Sequence, residues 1–142
     1  MPLLRTRFLV PVDAIPDGKN IRVLLCDDVQ AFRALIRYTL EDEDDIEVVG
    51  EAADGNEGVR QTVDLQPDVI LLDLSMPECD GLEAIPAIRE QSPNTKIVAL
   101  SGFTAERMSG PVIASGARAY LEKGVELSEI AATIRLVYGE AA

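Results

Sequence analysis

Histidine does not occur anywhere in the 142 residues. That absence removes Ser-His-Asp and Cys-His catalysis, histidine-ligated zinc and any role as a phosphohistidine donor. Whatever chemistry the chain performs runs on carboxylates, hydroxyls and lysine. Cysteine is scarce: Cys26 and Cys79 are the only two. A secretory signal is missing, because Pro2 and Pro11 interrupt the first twelve residues and no small-residue cleavage site follows. The two cysteines therefore read as reduced thiols rather than a disulfide. Long apolar runs are missing as well, and a stretch such as Val69-Ile70-Leu71-Leu72 is far too short to cross a bilayer. These absences predict a cytoplasmic protein with no membrane contact. Positive charge is also in short supply. Thirteen Lys and Arg against 25 Asp and Glu leave a formal charge of −12. So acidic a surface repels phosphate backbones, and no nucleic acid is expected on this domain.

What is present is enough apolar residue, 47%, to build one real core. Residues 1–20 read as a flexible N-terminal extension, with three prolines, a glycine and no sustained period. Residues 21–138 form the domain and 139–142 a short tail. Within the domain the pattern alternates strand and helix. Strands are expected at 21–26, 46–50, 68–73, 96–101 and 118–121, and helices at about 30–41, 56–65, 82–90, 104–115 and 127–138. In the first helix, for example, Phe32, Leu35, Ile36 and Leu40 recur at helical spacing. Five continuously apolar strands separated by single helices imply an α/β fold: a doubly wound parallel sheet covered on both faces. Ligands in such sheets sit beyond the carboxyl ends of the strands.

The polar residues gather at that edge. Asp27 and Asp28 follow the first strand, Asp73 ends the third, Ser101 ends the fourth and Lys123 follows the fifth. Three crowded carboxylates repel one another unless a cation joins them. A hard divalent ion held by carboxylates, a carbonyl and waters suits the set, and Mg²⁺ is the usual choice. Lys123 adds a point charge and Ser101 a hydroxyl donor. That leaves Asp73 as a carboxylate nucleophile able to accept a phosphoryl group. Taken singly, Asp27-Asp28 also reads as a helix cap. Pro77 with Asp80-Gly81 reads as turn chemistry, which is compatible with the same site.

Asp27-Asp28, Asp73 within Asp-Leu-Ser-Met-Pro-Glu-Cys-Asp-Gly, Ser101, and Tyr120-Leu121-Glu122-Lys123 together resemble the receiver domain of two-component response regulators. The segments Ile46 to Gly55 and Gly116-Ala117 are most similar to the NarL/FixJ-type (LuxR-family) transcriptional regulators. The resemblance covers about residues 21–138. It implies a flavodoxin-like strand order, 2-1-3-4-5, with five helices. It further implies that Asp28, Asp73 and the backbone carbonyl of Ser75 ligate Mg²⁺, with Asp27 acting partly through water. Asp73 would take its phosphoryl group from a sensor histidine kinase, and Lys123 would pair with that group. Ser101 and Tyr120 would act as switch residues, biasing the surface of the fourth helix, fifth strand and fifth helix toward partners or a second copy. Such regulators normally continue into a DNA-binding domain. The expectation is therefore a receiver excised from a longer protein that controls transcription, with a stand-alone receiver as the other reading.

Two departures from the family pattern stand out. Gly124 follows Lys123 where many receivers carry a proline, which predicts a looser loop. Gly110-Pro111 falls inside the fourth helix, where proline removes a backbone donor and clashes with the preceding turn. That helix is expected to be short, kinked or restarted near Pro111, altering the output surface. These departures keep open a second reading, a non-phosphorylated pseudo-receiver serving as an interaction module. A phosphohydrolase of the haloacid dehalogenase kind needs an acid two residues after its nucleophile, and here that position is Ser75.

Overall fold

The computed structural model describes residues 20–74, 81–102 and 105–140. Five strands and five helices alternate: β1 (Ile21–Cys26), α1 (Gln30–Glu41), β2 (Ile46–Ala52), α2 (Gly55–Leu65), β3 (Val69–Asp73), α3 (Gly81–Gln91), β4 (Lys96–Ser101), α4 (Ala105–Ser115), β5 (Ala119–Glu122) and α5 (Leu127–Tyr138). The strands pair in parallel in the order β2-β1-β3-β4-β5. Most boundaries fall within a residue or two of the sequence reading, the ordinary uncertainty of element ends. Residues 1–19 of the expected extension lie outside the described residues.

Strand alternation divides the core into two layers. Val23 and Leu25 of β1, Val69 and Leu71 of β3 and Val98 and Leu100 of β4 pack with Ile36 and Leu40 of α1 and Ile130, Ile134 and Val137 of α5. Leu24, Cys26, Ile70, Leu72, Ile97 and Ala99 turn the other way, onto Ala84, Ile85 and Ile88 of α3 and Val112 of α4. Both faces of the sheet are thus dry, which is why these strands read as unbroken apolar runs.

Helix ends follow local chemistry. Asp54 caps α2 by accepting from the Glu57 amide at 2.8 Å, and the Glu57 carboxylate accepts from the Ala53 amide at 2.8 Å. These two bonds fix the entry to α2. One turn in, Gly58 lets the helix approach β1, because a Cβ there would stand 2.7 Å from Cys26 Sγ. Gly116, after α4, has φ +123°, and the Arg89 side chain occupies the space where its Cβ would be.

The restart expected as one outcome for α4 is not found. The helix continues from Ala105 to Ser115 through Pro111. Pro111 is exposed, the next residue Val112 is fully buried, and Ser115 Oγ donates to the Pro111 carbonyl at 3.0 Å. Packing of Val112 holds the turn despite the lost donor. Helix α3 does the same with Pro86, exposed between buried Ile85 and Ile88.

Candidate functional site

The register sets the strand ends level. Cys26 pairs with Leu72, Asp73 with Leu100 and Ser101 with Glu122. Asp27, Asp28 and Lys123, each just past a strand, therefore meet Asp73 and Ser101 at the carboxyl edge. Asp27, Asp73 and Ser101 are buried, while Asp28 is exposed. Asp27, Asp28 and Asp73 each present a carboxylate oxygen, and the three oxygens lie within 4.8 Å of one another.

Lys123 is their counter-charge. Its Nζ stands 2.9 Å from Asp27 Oδ2 and 3.4 Å from Asp73 Oδ2. The same ammonium sits 4.8 Å from the centroid of the Phe32 ring on α1, a cation–π contact. Partial burial works against the ammonium, but the hydrogen bond to Asp27 and the charges of Asp73 and Asp27 outweigh it. The Lys123 pKa is therefore raised, and the residue is a cation at neutral pH.

Asp27 is held from every side. Its amide donates to the Ala52 carbonyl at 3.0 Å and its Oδ1 accepts from the Val29 amide at 2.8 Å. Its main-chain carbonyl accepts from Arg33 at 2.5 Å, and its buried Oδ2 faces Lys123. Asp28, exposed beside it, faces solvent.

Three carboxylates and one ammonium leave two net negative charges. The pKa of Cys26 is pushed up to about 12, first by burial and then by the charges of Asp54, Asp73, Asp27 and Glu57. Its thiol donates to the Asp54 carbonyl at 3.4 Å. The donor set suits a small hard cation. Mg²⁺ takes oxygens at about 2.0–2.1 Å, so two of its ligands lie roughly 3–4 Å apart. A slight contraction of the three aspartates meets that geometry, and the exposed side at Asp28 leaves room for the waters such an ion keeps.

Ser101 and Tyr120 are placed differently from the acids. By strand alternation Ser101 shares the parity of Ile97 and Ala99, on the side of α3 and α4. Half-buried Tyr120 packs in the same layer, which includes Met108 and Val112 of α4. Asp73 and Lys123 share the parity of Leu71 and Leu121, on the side of α1 and α5. The Lys123 amide donates to the Ser101 carbonyl at 2.8 Å, tying the two sets together. Ser75, whose carbonyl was expected in the ligand set, lies outside the described residues, as do Cys79 and Phe103.

Sequence reasoning singled out no role for Arg33, Phe32 or Glu51. One signal was available: Arg33 and Arg37 are spaced i, i+4 on a helix whose own acids can satisfy only one of them. Their shared partner, Glu51, lies on β2.

Known proteins resemble this chain in sequence and in fold. The family described as "Response regulator receiver domain" matches residues 23–135. The transcriptional regulatory protein LiaR of Bacillus subtilis is 48% identical over 115 residues, 81% of this chain and 54% of that protein. The response regulator UvrY of Escherichia coli is 42% identical over 118 residues, 83% of this chain and 54% of that protein. The chain thus spans about half the length of these curated relatives. Among solved structures, the response regulator domain of Thermotoga maritima CheB superposes with a TM-score of 0.82 at 28% identity, covering 87% of this chain and all of that one. A LuxR-family two-component response regulator from Aurantimonas gives 0.80 at 27% identity, covering 84% and 86%.

Proposed function

The chain belongs to the response regulator receiver domain family, in its NarL/FixJ-type branch, and from that premise we propose that it is a phosphorylation-driven switch with Asp73 as the acceptor. One observation carries the reading: Lys123 lies between Asp27 and Asp73 while Asp28 completes a three-oxygen set at the carboxyl edge.

The donor is a phosphohistidine of a sensor kinase, as membership of the family implies, and this chain has no histidine of its own to serve as one. An Asp73 carboxylate oxygen forms the new bond to phosphorus as the phosphorus–nitrogen bond breaks, and the imidazole leaves with the electron pair and takes up a proton. Asp28, Asp73 and the Ser75 carbonyl would hold Mg²⁺, with Asp27 acting partly through water, and the ion would supply positive charge against the incoming phosphoryl oxygens. Lys123 exchanges its contact with Asp73 for a phosphoryl oxygen. Ser101 donates its hydroxyl to another. Because Ser101 and Tyr120 share the α4 side of the sheet, that movement passes into the α4–β5 layer, where a partner or a second copy docks. The protein works in the cytoplasm and acts on its own aspartate alone, and in full length it controls transcription through a DNA-binding domain. LiaR is described as a transcriptional regulatory protein, which supports that last step.

The test is phosphorylation from acetyl phosphate, followed by intact mass. Wild type should gain a single phosphoryl group only when Mg²⁺ is present, and Lys123→Met should label slowly at any Mg²⁺ concentration. Failure of wild type to label would transfer the weight to the pseudo-receiver reading.

A further inference from the structure

Arg33 is the fourth residue of α1 and stands outside the acid set, yet its guanidinium reaches back into the loop that carries it. One nitrogen donates to the Asp27 carbonyl at 2.5 Å, and Nε donates to Glu51 Oε1 at 2.9 Å. The side chain is 14% exposed. The second oxygen of Glu51 takes Arg37 Nε at 2.6 Å, and Arg37 also meets Glu41 at 2.8 Å. Burial works against the Glu51 carboxylate, but its bonds to Arg37 and Arg33 prevail and hold it below the usual carboxylate range. Glu51 is thus a fixed anion that aims Arg33 at Asp27.

We propose that Arg33 is a positioning residue for the acid pocket, fixing the backbone of Asp27-Asp28 so that both carboxylates stay within reach of one cation. The inference rests on reading the pocket as a Mg²⁺-dependent phosphoacceptor site. Two adjacent acids facing a third are driven outward by repulsion, and something must hold their loop in. Among the described residues the restraints are the Ala52 carbonyl on the Asp27 amide, the Val29 amide and Lys123 on the Asp27 carboxylate, and Arg33 on the Asp27 carbonyl. Lys123 is shared between Asp27 and Asp73, so its hold on Asp27 alters when it turns from Asp73 to a phosphoryl oxygen. Arg33 stays, because its charge is permanent and its partner Glu51 sits on a different strand. A lysine would not replace it. A single ammonium reaches one acceptor, whereas the guanidinium fork reaches the carbonyl and the carboxylate together.

Arg37 supplies the control, since it braces α1 to the same Glu51 without touching Asp27. Mg²⁺ affinity by calorimetry and thermal stability should be measured on wild type, Arg33→Met, Arg33→Lys and Arg37→Met. Groups that orient metal ligands typically matter by 10–100-fold in affinity. Arg33→Met and Arg33→Lys should therefore weaken Mg²⁺ binding about tenfold or more, with the labelling rate restored by saturating Mg²⁺. Arg37→Met should bind Mg²⁺ within about twofold of wild type, despite losing an equivalent brace. Equal Mg²⁺ affinity in the Arg33 and Arg37 variants would overturn the proposal. If Arg33→Met does not fold, Arg33→Lys decides by the same comparison. A wild type that neither binds Mg²⁺ nor labels would overturn the functional reading and this inference together.

Discussion

Cys26 and Gly58 show how closely single side chains are set around the pocket. With its pKa near 12 and its sulfur buried, Cys26 should resist alkylation at pH 8 until the protein unfolds. Peptide mapping after iodoacetamide treatment would register it as unmodified in native protein and modified in denaturant. Gly58→Ala would place a methyl group 2.7 Å from that sulfur and should destabilise by about 1–3 kcal/mol in urea unfolding. Combining it with Cys26→Ala removes the clash, so the double variant should lose less than the two single losses added together. Additivity would mean that the contact is not the cause. The aspartates themselves were legible in the sequence because carboxylates at strand exits have no packing reason to be there. Arg33 was legible only through its i, i+4 spacing with Arg37, because its target at the pocket is a main-chain carbonyl, and no residue type marks a carbonyl.

Among the elements, α4 is where local propensity and tertiary packing disagree. Proline in a helix interior costs about 3 kcal/mol, and from sequence that penalty predicts a short, kinked or restarted helix. Buried Val112 and the bond from Ser115 hold the helix together instead, and propensity gave no view of them. The penalty is still present in the folded state. Pro111→Ala should therefore stabilise by roughly 2–2.6 kcal/mol, the helix penalty less what proline contributes by restricting the unfolded chain. Gly110→Ala, with open space where its Cβ would go, should add about 0.5–1 kcal/mol. Thermal melts check both, and a loss from either would show that α4 needs its irregular residues. The strands tell the opposite story. A sheet covered on both faces wrote its apolar runs plainly into the sequence, and strand order followed once the family resemblance was seen.

Across the whole molecule, net acidity is managed by a few bridging arginines. Arg135 of α5 holds Asp45 through both carboxylate oxygens, at 2.8 and 2.7 Å, and Glu43 at 2.5 Å, tying the last helix to the α1–β2 loop. The hydrogen bond from Arg135 holds the Asp45 carboxyl below its ordinary range, against the opposing effect of burial. A carboxyl with a lowered folded-state pKa stabilises the fold above its unfolded value, near pH 4. That contribution disappears as pH falls through the folded-state value. The melting temperature of wild type should therefore exceed that of Arg135→Met at pH 7, with the gap closing below about pH 4 and narrowing in high salt. A gap independent of pH would place the effect of Arg135 in packing rather than charge.

The central claim is that Asp73 accepts the phosphoryl group, and its chemistry offers a direct readout. Reduction of the phosphorylated protein with borohydride converts an aspartyl phosphate to homoserine, which peptide mapping locates by residue. The account expects homoserine at position 73 of wild type, dependent on Mg²⁺, and none in Asp73→Asn. Homoserine at position 27 or 28, a stable phosphate on Ser101, or an unmodified wild type would contradict it.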